Sequence, residues 1–329
     1  MEYRRLGKSG LKVSEIGLGG NNFGMRIGEE ASIAVIRHAL DAGINFIDTA
    51  DGYGQGHSEE FVGKAVKDRR SEAIVATKFS MPAGQGPNDY GASRHHILQA
   101  VETSLKRLGT DYIDLYYVHM PDTTTPIEET LRTLDNLIKT GKVRYIACSN
   151  FAAWQLCESL WTSRTNNLES FVVVQSQYNL LERGIESELV PCCESYGIGI
   201  IPYSPLAGGF LTGKYERGKP APAGTRLGMM QKAPPPQMPN MPGMPMRGRQ
   251  PMFGSVLNDS NFNKLEKWQQ FARAHNHSME ELAIAWLLSH SYVNSVIAGA
   301  TKPEQVSAHV AAAQWKLSTS ELAELELLL

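Results

Sequence analysis

Four residues whose side chains can carry protons or charge occur at separate points of the sequence. Asp48, Lys78 and His119 each end an apolar run, and Tyr53 lies five residues beyond Asp48. Reduction of a carbonyl by hydride needs a proton donor for the alkoxide that develops. The tyrosine phenol, with an ordinary pKa of about 10, becomes a stronger acid when an ammonium stabilises its phenolate. We expect Lys78 to lower the pKa of Tyr53, Asp48 to hold that ammonium, and His119 to orient the carbonyl or assist proton relay.

Each of these side chains also has a purely structural explanation. Asp48 could cap a strand end, and Tyr53 could be a turn aromatic. Lys78 could extend to the rim of the fold, and His119 could be a hydrogen-bonded core histidine. Their occurrence together at successive predicted strand ends, in the order Asp, Tyr, Lys, His, favours the catalytic interpretation.

Predicted strands explain how these side chains could meet. From residue 16 to about residue 205, β-rich runs alternate with stretches of helical period, a pattern typical of parallel strands joined by crossover helices. The predicted strands are 16–19, 44–48, 73–77, 113–119, 143–149, 171–175, 198–203 and 295–297. In a (β/α)8 TIM barrel all strand ends of one kind open on the same face. We predict one such α/β domain over 1–329, with an N-terminal hairpin, 3–6 with 11–13, closing the barrel floor.

The predicted helices have recognisable starts and stops. They are 29–42, 58–68, 93–108, 151–162, 182–196, 261–275, 278–289, 303–312 and 318–327, and one more that begins near residue 125 and ends at Gly141. For this last helix, Thr125 is expected to cap the first turn, with Pro126 at its first position and Glu128 completing a capping box.

One segment interrupts the alternation of strands and helices. Residues 219–252 contain nine of the 17 prolines and seven of the 12 methionines. Because proline disrupts helices and strands, this segment is predicted to be a long loop inserted on the catalytic face. It could close over a substrate through its methionines, or it could be a disordered surface insertion.

Composition argues against several other classes of function. With 32 basic and 34 acidic residues, the net charge of −2 gives no general attraction to nucleic acid or anionic membranes. Neither an apolar signal core nor an apolar run of about 18 residues is visible. The four cysteines match no zinc spacing, and the adjacent Cys192 and Cys193 are expected to be reduced residues on a helix of a cytoplasmic protein. The four are Cys148, Cys157, Cys192 and Cys193. We therefore expect no metal.

Several motifs, in order, resemble the aldo-keto reductase family over essentially the whole chain. They are DTADGYG at 48–54, SE at 58–59, TK at 77–78, DYIDLYYVH at 111–119, GKVRYI at 141–146, SNF at 149–151, QSQYN at 175–179 and YSPLAGG at 203–209. The beginning is most similar to the branch with potassium-channel β subunits and bacterial aldehyde reductases. The resemblance implies a nicotinamide cofactor extended across the barrel mouth. The lack of Gly-x-Gly-x-x-Gly after an early strand agrees with that expectation.

The resemblance also implies which residues hold the cofactor. Those expected around the nicotinamide are Gly20, Asn21, Asp48, Ser149, Asn150, Gln175 and Tyr203. Tyr203 is expected to stack on the ring and so fix the face that delivers hydride. Those expected along the phosphates and adenosine are Ser204, Pro205, Leu206, Gly208, Lys214, Arg226, Gly299, Thr301, Lys302, Gln305 and His309. Lys214 and Arg226 could otherwise be ordinary loop charges.

The last of these positions favour NADP(H) over NAD(H). Thr301 is expected to cap the next helix, whose N-terminal amides suit a phosphate, and Lys302 adds a cation, although it could point into solvent. The sequence departs from the family at Ala308 and His309, where a Glu-Asn pair usually contacts the adenine. His309 is expected to stack on or bond the adenine instead.

The resemblance implies an NADP-dependent reductase of aldehydes or ketones, reversible as an alcohol dehydrogenase. Phe23, Tyr90 and Met120 suggest an apolar substrate pocket, although packing roles explain them equally well. The partner is then a small carbonyl compound, and a homo-oligomer is compatible with the sequence. A second hypothesis is a regulatory subunit that senses nicotinamide redox state on a partner protein. A third, a metal-dependent hydrolase, would need additional ligands at the other strand ends.

Overall fold

A closed barrel of eight parallel strands forms the centre of the computed structural model, which describes residues 1–232 and 256–329. Ahead of it, β1 (Tyr3–Arg5) and β2 (Lys12–Ser14) form an antiparallel hairpin. The barrel strands are β3 (Ile16–Gly19), β4 (Phe46–Asp48), β5 (Ile74–Phe79), β6 (Ile113–Val118), β7 (Val143–Ser149), β8 (Val173–Gln177), β9 (Gly199–Tyr203) and β10 (Val296–Gly299). Strand β10 pairs with both β3 and β9 and closes the barrel. The predicted TIM barrel is confirmed, and each predicted strand overlaps an observed one.

Helices surround the barrel. In the described ranges they are α1 (Glu29–Asp41), α2 (His57–Val66), α3 (Arg94–Leu108), α4 (Ile127–Lys139), α5 (Ala153–Thr165), α6 (Leu189–Tyr196), α7 (Arg226–Lys232), α8 (Asp259–Ala274), α9 (Met279–Ser289), α10 (Pro303–Ala312) and α11 (Thr319–Glu326). The predicted start of α6 at residue 182 is wrong. Pro191 lacks a backbone donor and is tolerated only in a first helical turn, so the helix begins at Leu189.

The predicted capping box of α4 is also wrong. Pro126 occupies the cap position, and no side chain caps the helix there. The Thr125 hydroxyl, which was expected to cap the helix, instead donates a hydrogen bond to Asp122 Oδ2 at 2.7 Å. Glu128 accepts from Arg132 on the exposed face of the helix. The helix is held by its buried face, where each fully buried leucine contributes about 2 kcal/mol.

The apolar core consists of two clusters on either side of the barrel wall. The larger cluster lies between the strands and the surrounding helices. The smaller fills the barrel interior and includes Phe46, Leu115 and Val173. Leu6 and Val13 from the N-terminal hairpin belong to this interior cluster and are fully buried. The hairpin therefore closes the floor of the barrel, as predicted, and leaves the opposite face open.

A helix lies within the segment that was predicted to be a loop. Helix α7 occupies residues 226–232 of the 219–252 segment, where the sequence has no proline between Pro222 and Pro234. Thr225 Oγ1 accepts from the Gly228 amide at 3.2 Å and so caps this helix. The prediction of a loop is wrong for these residues. Residues 233–252, and with them the interpretation as a lid or a disordered insertion, lie outside the described residues.

Two further properties of the chain are the state of its cysteines and the length of its apolar helices. The four cysteines carry free thiols, among them Cys192 and Cys193, for which reduced thiols were predicted. Across 1–232 and 256–329, no helix is long and apolar enough to cross a membrane.

Candidate active site

The four predicted catalytic side chains lie at the carboxyl-terminal face of neighbouring barrel strands. Asp48 ends β4, Lys78 is the penultimate residue of β5, and His119 directly follows β6. Tyr53 begins a short 3-10 turn beyond β4, where the backbone reverses through the left-handed residues Gly54 and Gln55. Adjacent strands of the barrel thus bring all four side chains to one face.

Lys78 is the centre of this group. Its side chain is fully buried, and its ammonium donates to Asp48 Oδ1 at 2.5 Å and to the Thr49 carbonyl at 2.8 Å. The other Asp48 oxygen accepts from Gln175 Nε2 at 2.8 Å. Burial lowers the pKa of the Lys78 ammonium, but the charge of Asp48 and the hydrogen bonds with Asp48 and Tyr53 outweigh it and raise the pKa above its ordinary value. The ammonium is therefore kept protonated.

Tyr53 lies over this ammonium. The Lys78 nitrogen is 5.1 Å from the centre of the Tyr53 ring. Burial raises the pKa of the Tyr53 phenol, whereas Lys78 lowers it, and the net direction is upward. The sequence-based expectation of a lowered pKa is therefore wrong in its net direction, because it counted the ammonium and not the desolvation of the phenolate. The phenol carries its proton at neutral pH.

His119 completes the group as a neutral ring. Its imidazole meets the Tyr53 ring edge-on, with 5.8 Å between ring centres. Burial, with a smaller contribution from Lys78, lowers the pKa of His119 to about 3. Nδ1 is buried and has no hydrogen-bond partner among the described residues. A neutral imidazole with an unpaired nitrogen can accept or donate one hydrogen bond, but it cannot act as a cation at neutral pH.

Side chains expected around a nicotinamide ring meet beside this group. Asn150 donates to the Ser149 hydroxyl and to the His119 carbonyl, each at 3.0 Å. The Tyr203 hydroxyl donates to Asn150 Oδ1 at 2.9 Å. Gln175 joins them through its backbone carbonyl, which accepts from the Asn150 amide at 3.0 Å. Amide and hydroxyl groups from three adjacent strand ends are therefore held in one network around Tyr203.

Gly20 and Asn21 directly follow β3, which β10 alone separates from β9 in the barrel. The Gly20 amide donates to the Asp48 carbonyl at 2.7 Å. A Cβ at Gly20 would lie 2.9 Å from Ser58 Oγ, so the backbone can approach this closely only with glycine. Asn21 Oδ1 is buried and without a hydrogen-bond partner in the described ranges. This orphaned acceptor can take a donor such as a carboxamide.

The loop after β9 has the backbone expected of a phosphate-binding turn. Ser204 and Ala207 have positive φ values of 56° and 45°, and Gly208 and Gly209 follow with 69° and 89°. Asn179 fixes the start of the loop by donating to the Ser204 carbonyl at 3.0 Å. Successive left-handed residues can turn backbone N–H groups toward an anion. Pro205 and Leu206 lie within this loop.

Three cations surround the loop. A Cβ at Gly209 would come within 2.5 Å of Lys214 Nζ, so this ammonium lies directly over the loop. Burial lowers the pKa of Lys214, and the charge of Arg26 lowers it further. Arg226 begins α7, where burial lowers its pKa and the charge of Arg26 lowers it further. Sequence analysis missed Arg26, whose guanidinium donates to the Gly224 carbonyl at 2.9 Å, because its loop precedes α1 and is distant in sequence.

The predicted adenosine segment runs from the end of β10 into α10. Gly299 ends the strand, and Lys302 is the exposed cap residue of the helix, without a side-chain cap. The prediction that Thr301 caps α10 is wrong. Its amide and hydroxyl both donate to Gln305 Oε1, at 2.7 and 3.1 Å, so Gln305 reaches back and fixes the turn. His309 lies further along the helix and is buried.

The predicted substrate-pocket residues do not share one environment. Phe23 is fully buried in the core between strands and helices, so it supports the wall and does not line an open pocket. Tyr90 and Met120 are half-buried, and the Met120 amide donates to Ser80 Oγ at 2.9 Å. A groove of about 450 Å³ at residues 24–29 and α2 contains none of the four catalytic candidates.

These residues fit a nicotinamide dinucleotide at three points. The orphaned Asn21 oxygen and the Tyr203 network suit the nicotinamide end, and the left-handed loop with its cations suits the pyrophosphate. Among the described residues, no group of three His, Cys, Asp or Glu side chains could hold a metal ion. The Tyr53 phenol can donate a proton, and the Lys78 ammonium can stabilise a negative charge beside it.

Comparisons with known proteins show the family of this chain. The profile of the aldo/keto reductase family matches residues 15–329. A probable voltage-gated potassium channel subunit beta from Oryza sativa subsp. japonica is 38% identical over 93% of this chain and 89% of its own. L-glyceraldehyde 3-phosphate reductase from Escherichia coli (strain K12) is 33% identical, over 99% and 92%. Versiconal hemiacetal acetate reductase from Aspergillus parasiticus is 35% identical, over 99% and 96%. These reductases support an oxidoreductase activity, and the chain belongs to the aldo/keto reductase family.

Proposed function

We propose that this protein is an NADPH-dependent reductase that converts an aldehyde or ketone to an alcohol, reversibly, with Tyr53 as the proton donor. The observation that carries the proposal is the buried Lys78 ammonium, held by Asp48 and Thr49 beneath the Tyr53 phenol. The reductases among its relatives support the same class of reaction. We further propose that 1–329 acts as one domain.

Each side chain then has one role in the reaction. Tyr53 gives its proton to the carbonyl oxygen, and the Lys78 ammonium stabilises the phenolate that remains. Asp48 keeps that ammonium charged and in place. His119, neutral because of its burial, orients the carbonyl through one hydrogen bond. When bound, the reduced nicotinamide supplies the hydride that arrives at the carbonyl carbon.

Removal of the phenol hydroxyl tests the proposal directly. Tyr53→Phe should lower turnover of aldehydes by about 10²- to 10⁴-fold, the usual contribution of a positioned acid. The affinity for NADPH should stay within about threefold, since Tyr53 makes no expected contact with phosphate or adenosine. Purified protein would be screened against aldehydes, ketones and keto-sugars by loss of NADPH absorbance. Unchanged turnover in the variant would remove Tyr53 from its role.

The preference for NADPH is proposed from the charges at the start of α10. Lys302 is exposed at the helix cap, where its ammonium and the helix N-terminus can both attract a phosphate. Lys302→Glu should weaken NADPH by about tenfold or more while changing NADH by less than about threefold. Titration of both cofactors by protein fluorescence measures the difference. An equal weakening of both cofactors would count against NADPH selection at Lys302.

The similarity to the probable channel subunit favours a second candidate function, a nicotinamide-binding regulatory subunit of a partner protein. The two candidates differ in turnover and not in cofactor binding. A stable partner complex in cell extracts, together with negligible turnover across the carbonyl panel, would favour the regulatory subunit. Turnover that Tyr53→Phe abolishes would favour the enzyme.

A further inference from the structure

Helix α5 is apolar on both of its faces. Leu156 and Leu160 are buried in the core, as expected for a helix on the wall of a barrel. On the opposite side, Trp154 is 62% exposed and Trp161 is 48% exposed. Of the helices in residues 1–232 and 256–329, α5 alone exposes two large apolar side chains. Because the outer face of such a helix is normally polar, this face is expected to contact another molecule.

The Trp161 side chain is held in place before any such contact is made. Its indole Nε1 donates to the Tyr196 hydroxyl of α6 at 3.0 Å. The Arg164 guanidinium lies 5.3 Å from the centre of the indole ring, so Arg164 leans over the same face. A large side chain whose orientation is already fixed loses little conformational entropy on binding. Tryptophan and arginine are also enriched among the residues that dominate the energy of protein interfaces. Trp161 therefore has the properties of an interface anchor.

Opposite charges flank Trp161 at equal spacing. Glu158 lies three residues before it and Arg164 three residues after it, and both side chains are exposed. Among the described residues, neither of these side chains forms an ion pair. When two α5 helices pack antiparallel around a two-fold axis at Trp161, Glu158 of each copy lies level with Arg164 of the other. The face is thus complementary to itself in charge, as a two-fold contact between identical chains requires.

We propose that the outer face of α5 is the contact of a homodimer, in which a second copy of this chain covers Trp154 and Trp161. The two tryptophans of each copy supply the apolar area of the contact. The two pairs formed by Glu158 and Arg164 set its antiparallel orientation, because a parallel arrangement would not bring them level. The inference does not rest on the proposed reductase activity, since α5 carries none of the four catalytic candidates.

Reversal of one charge tests the contact. Sedimentation velocity measures the mass of the purified full chain up to about 50 μM, a range that detects micromolar dissociation constants. The unaltered protein should sediment as a dimer or a multiple of one. Glu158→Arg and Arg164→Glu should each raise the dissociation constant of the dimer by about tenfold or more, because each brings like charges together twice. An equimolar mixture of the two variants should regain the dimer, since both facing pairs then have opposite charges.

Changes at other exposed residues serve as matched controls. Trp161→Ala should dissociate the dimer, whereas Leu98→Ala, at a 44% exposed leucine of α3, should not. Glu304→Arg, a charge reversal at an exposed residue of α10, should also leave the mass unchanged. A chain that stays monomeric at every concentration would overturn the inference. So would single reversals that leave the mass unchanged, or a mixture of the two variants that stays dissociated.

Discussion

Two buried ionic clusters lie on either side of the turn that carries Tyr53, and they differ in what their cations can do. The first pairs Asp48 with Lys78 on the catalytic face. The second, which we call the support cluster, consists of Asp51, Glu59 and Arg107 behind the turn.

The support cluster holds the turn through backbone and carboxylate contacts. Arg107 Nη1 donates to the Asp51 carbonyl at 3.1 Å and to Glu59 Oε2 at 3.2 Å. Glu59 Oε1 accepts from Thr77 Oγ1 at 2.6 Å. Gly56 has a φ of 96°, and a Cβ there would lie 2.4 Å from the Arg107 guanidinium carbon. The cluster thus fixes the geometry of the turn from behind.

The difference between the clusters shows which buried charges can do chemistry. Arginine cannot lose its proton in proteins, and Arg107 is 28% exposed, so its charge is constant and partly hydrated. Lys78 is fully buried beside the Tyr53 ring, so water screens its charge less than it screens that of Arg107. A buried ion pair alone is weak evidence of function. Its proximity to a group that exchanges protons is the stronger sign.

The largest effect on turnover is expected when Lys78 is replaced. Lys78→Met should lower turnover by about 10³-fold, because the phenolate loses its stabilising charge. Arg107→Met should lower the melting temperature but keep turnover within about tenfold of the unaltered protein. Initial rates with NADPH and thermal unfolding measure both quantities.

Lys78→Met leaves Asp48 without its cation, which could unfold the protein for a reason unrelated to catalysis. Lys78→Met combined with Asp48→Asn removes both charges and should restore the melting temperature without restoring turnover. If turnover returned with the double change, or if Arg107→Met abolished it in folded protein, the distinction between the clusters would be wrong.

A smaller effect is expected on stability at the support cluster. Burial and, next, the charge of Glu59 raise the pKa of Asp51 to about 8, while the Gly52 amide, Arg107 and Lys78 oppose this rise. Between pH 4 and pH 8 the unfolded chain therefore loses a proton that the folded chain keeps, so stability falls as the pH rises. Asp51→Asn removes this dependence. The unfolding free energy of Asp51→Asn minus that of the unaltered protein should therefore increase by on the order of 2 kcal/mol from pH 5 to pH 8.

Urea unfolding at the two pH values measures this difference. Asp259→Asn, at an 83% exposed carboxylate, is the matched control and should show no such growth. A difference between Asp51→Asn and the unaltered protein that does not change with pH would show that Asp51 is ionised in the folded state.

The same contrast explains what the sequence could and could not predict. The strand ends were predictable because apolar runs with the period of α/β units determine where each strand stops, and Asp48, Lys78 and His119 lie at those stops. The local caps at Thr125 and Thr301 were not predicted correctly. In each case the threonine hydroxyl donates its hydrogen bond to a side chain a few residues away, the Asp122 carboxylate for Thr125 and the Gln305 amide oxygen for Thr301.

Residues that act across the fold could not be found from local patterns. Arg26 approaches Lys214, and Glu280 approaches His309, only because the barrel brings their loops and helices together. No spacing rule links such positions. The net pKa of Tyr53 was also beyond sequence reasoning, since it depends on how deeply the ring is buried and not only on which charge is near.

The smallest expected effect concerns His119, which lies in the catalytic group but should not titrate near neutrality. Burial and then the charge of Lys78 lower its pKa to about 3, so the ring should stay neutral from pH 8 down to about pH 4.5. The unfolded chain binds a proton at this position below about pH 6.5, so His119 contributes a loss of stability as the pH falls from there toward 3. NMR spectra of the ring nitrogens, with His119→Gln to assign the resonance, should show no midpoint between pH 5 and pH 8. A titration midpoint in that interval would show that His119 can carry a proton near neutral pH, and it would support the proton-relay role that the sequence also allowed.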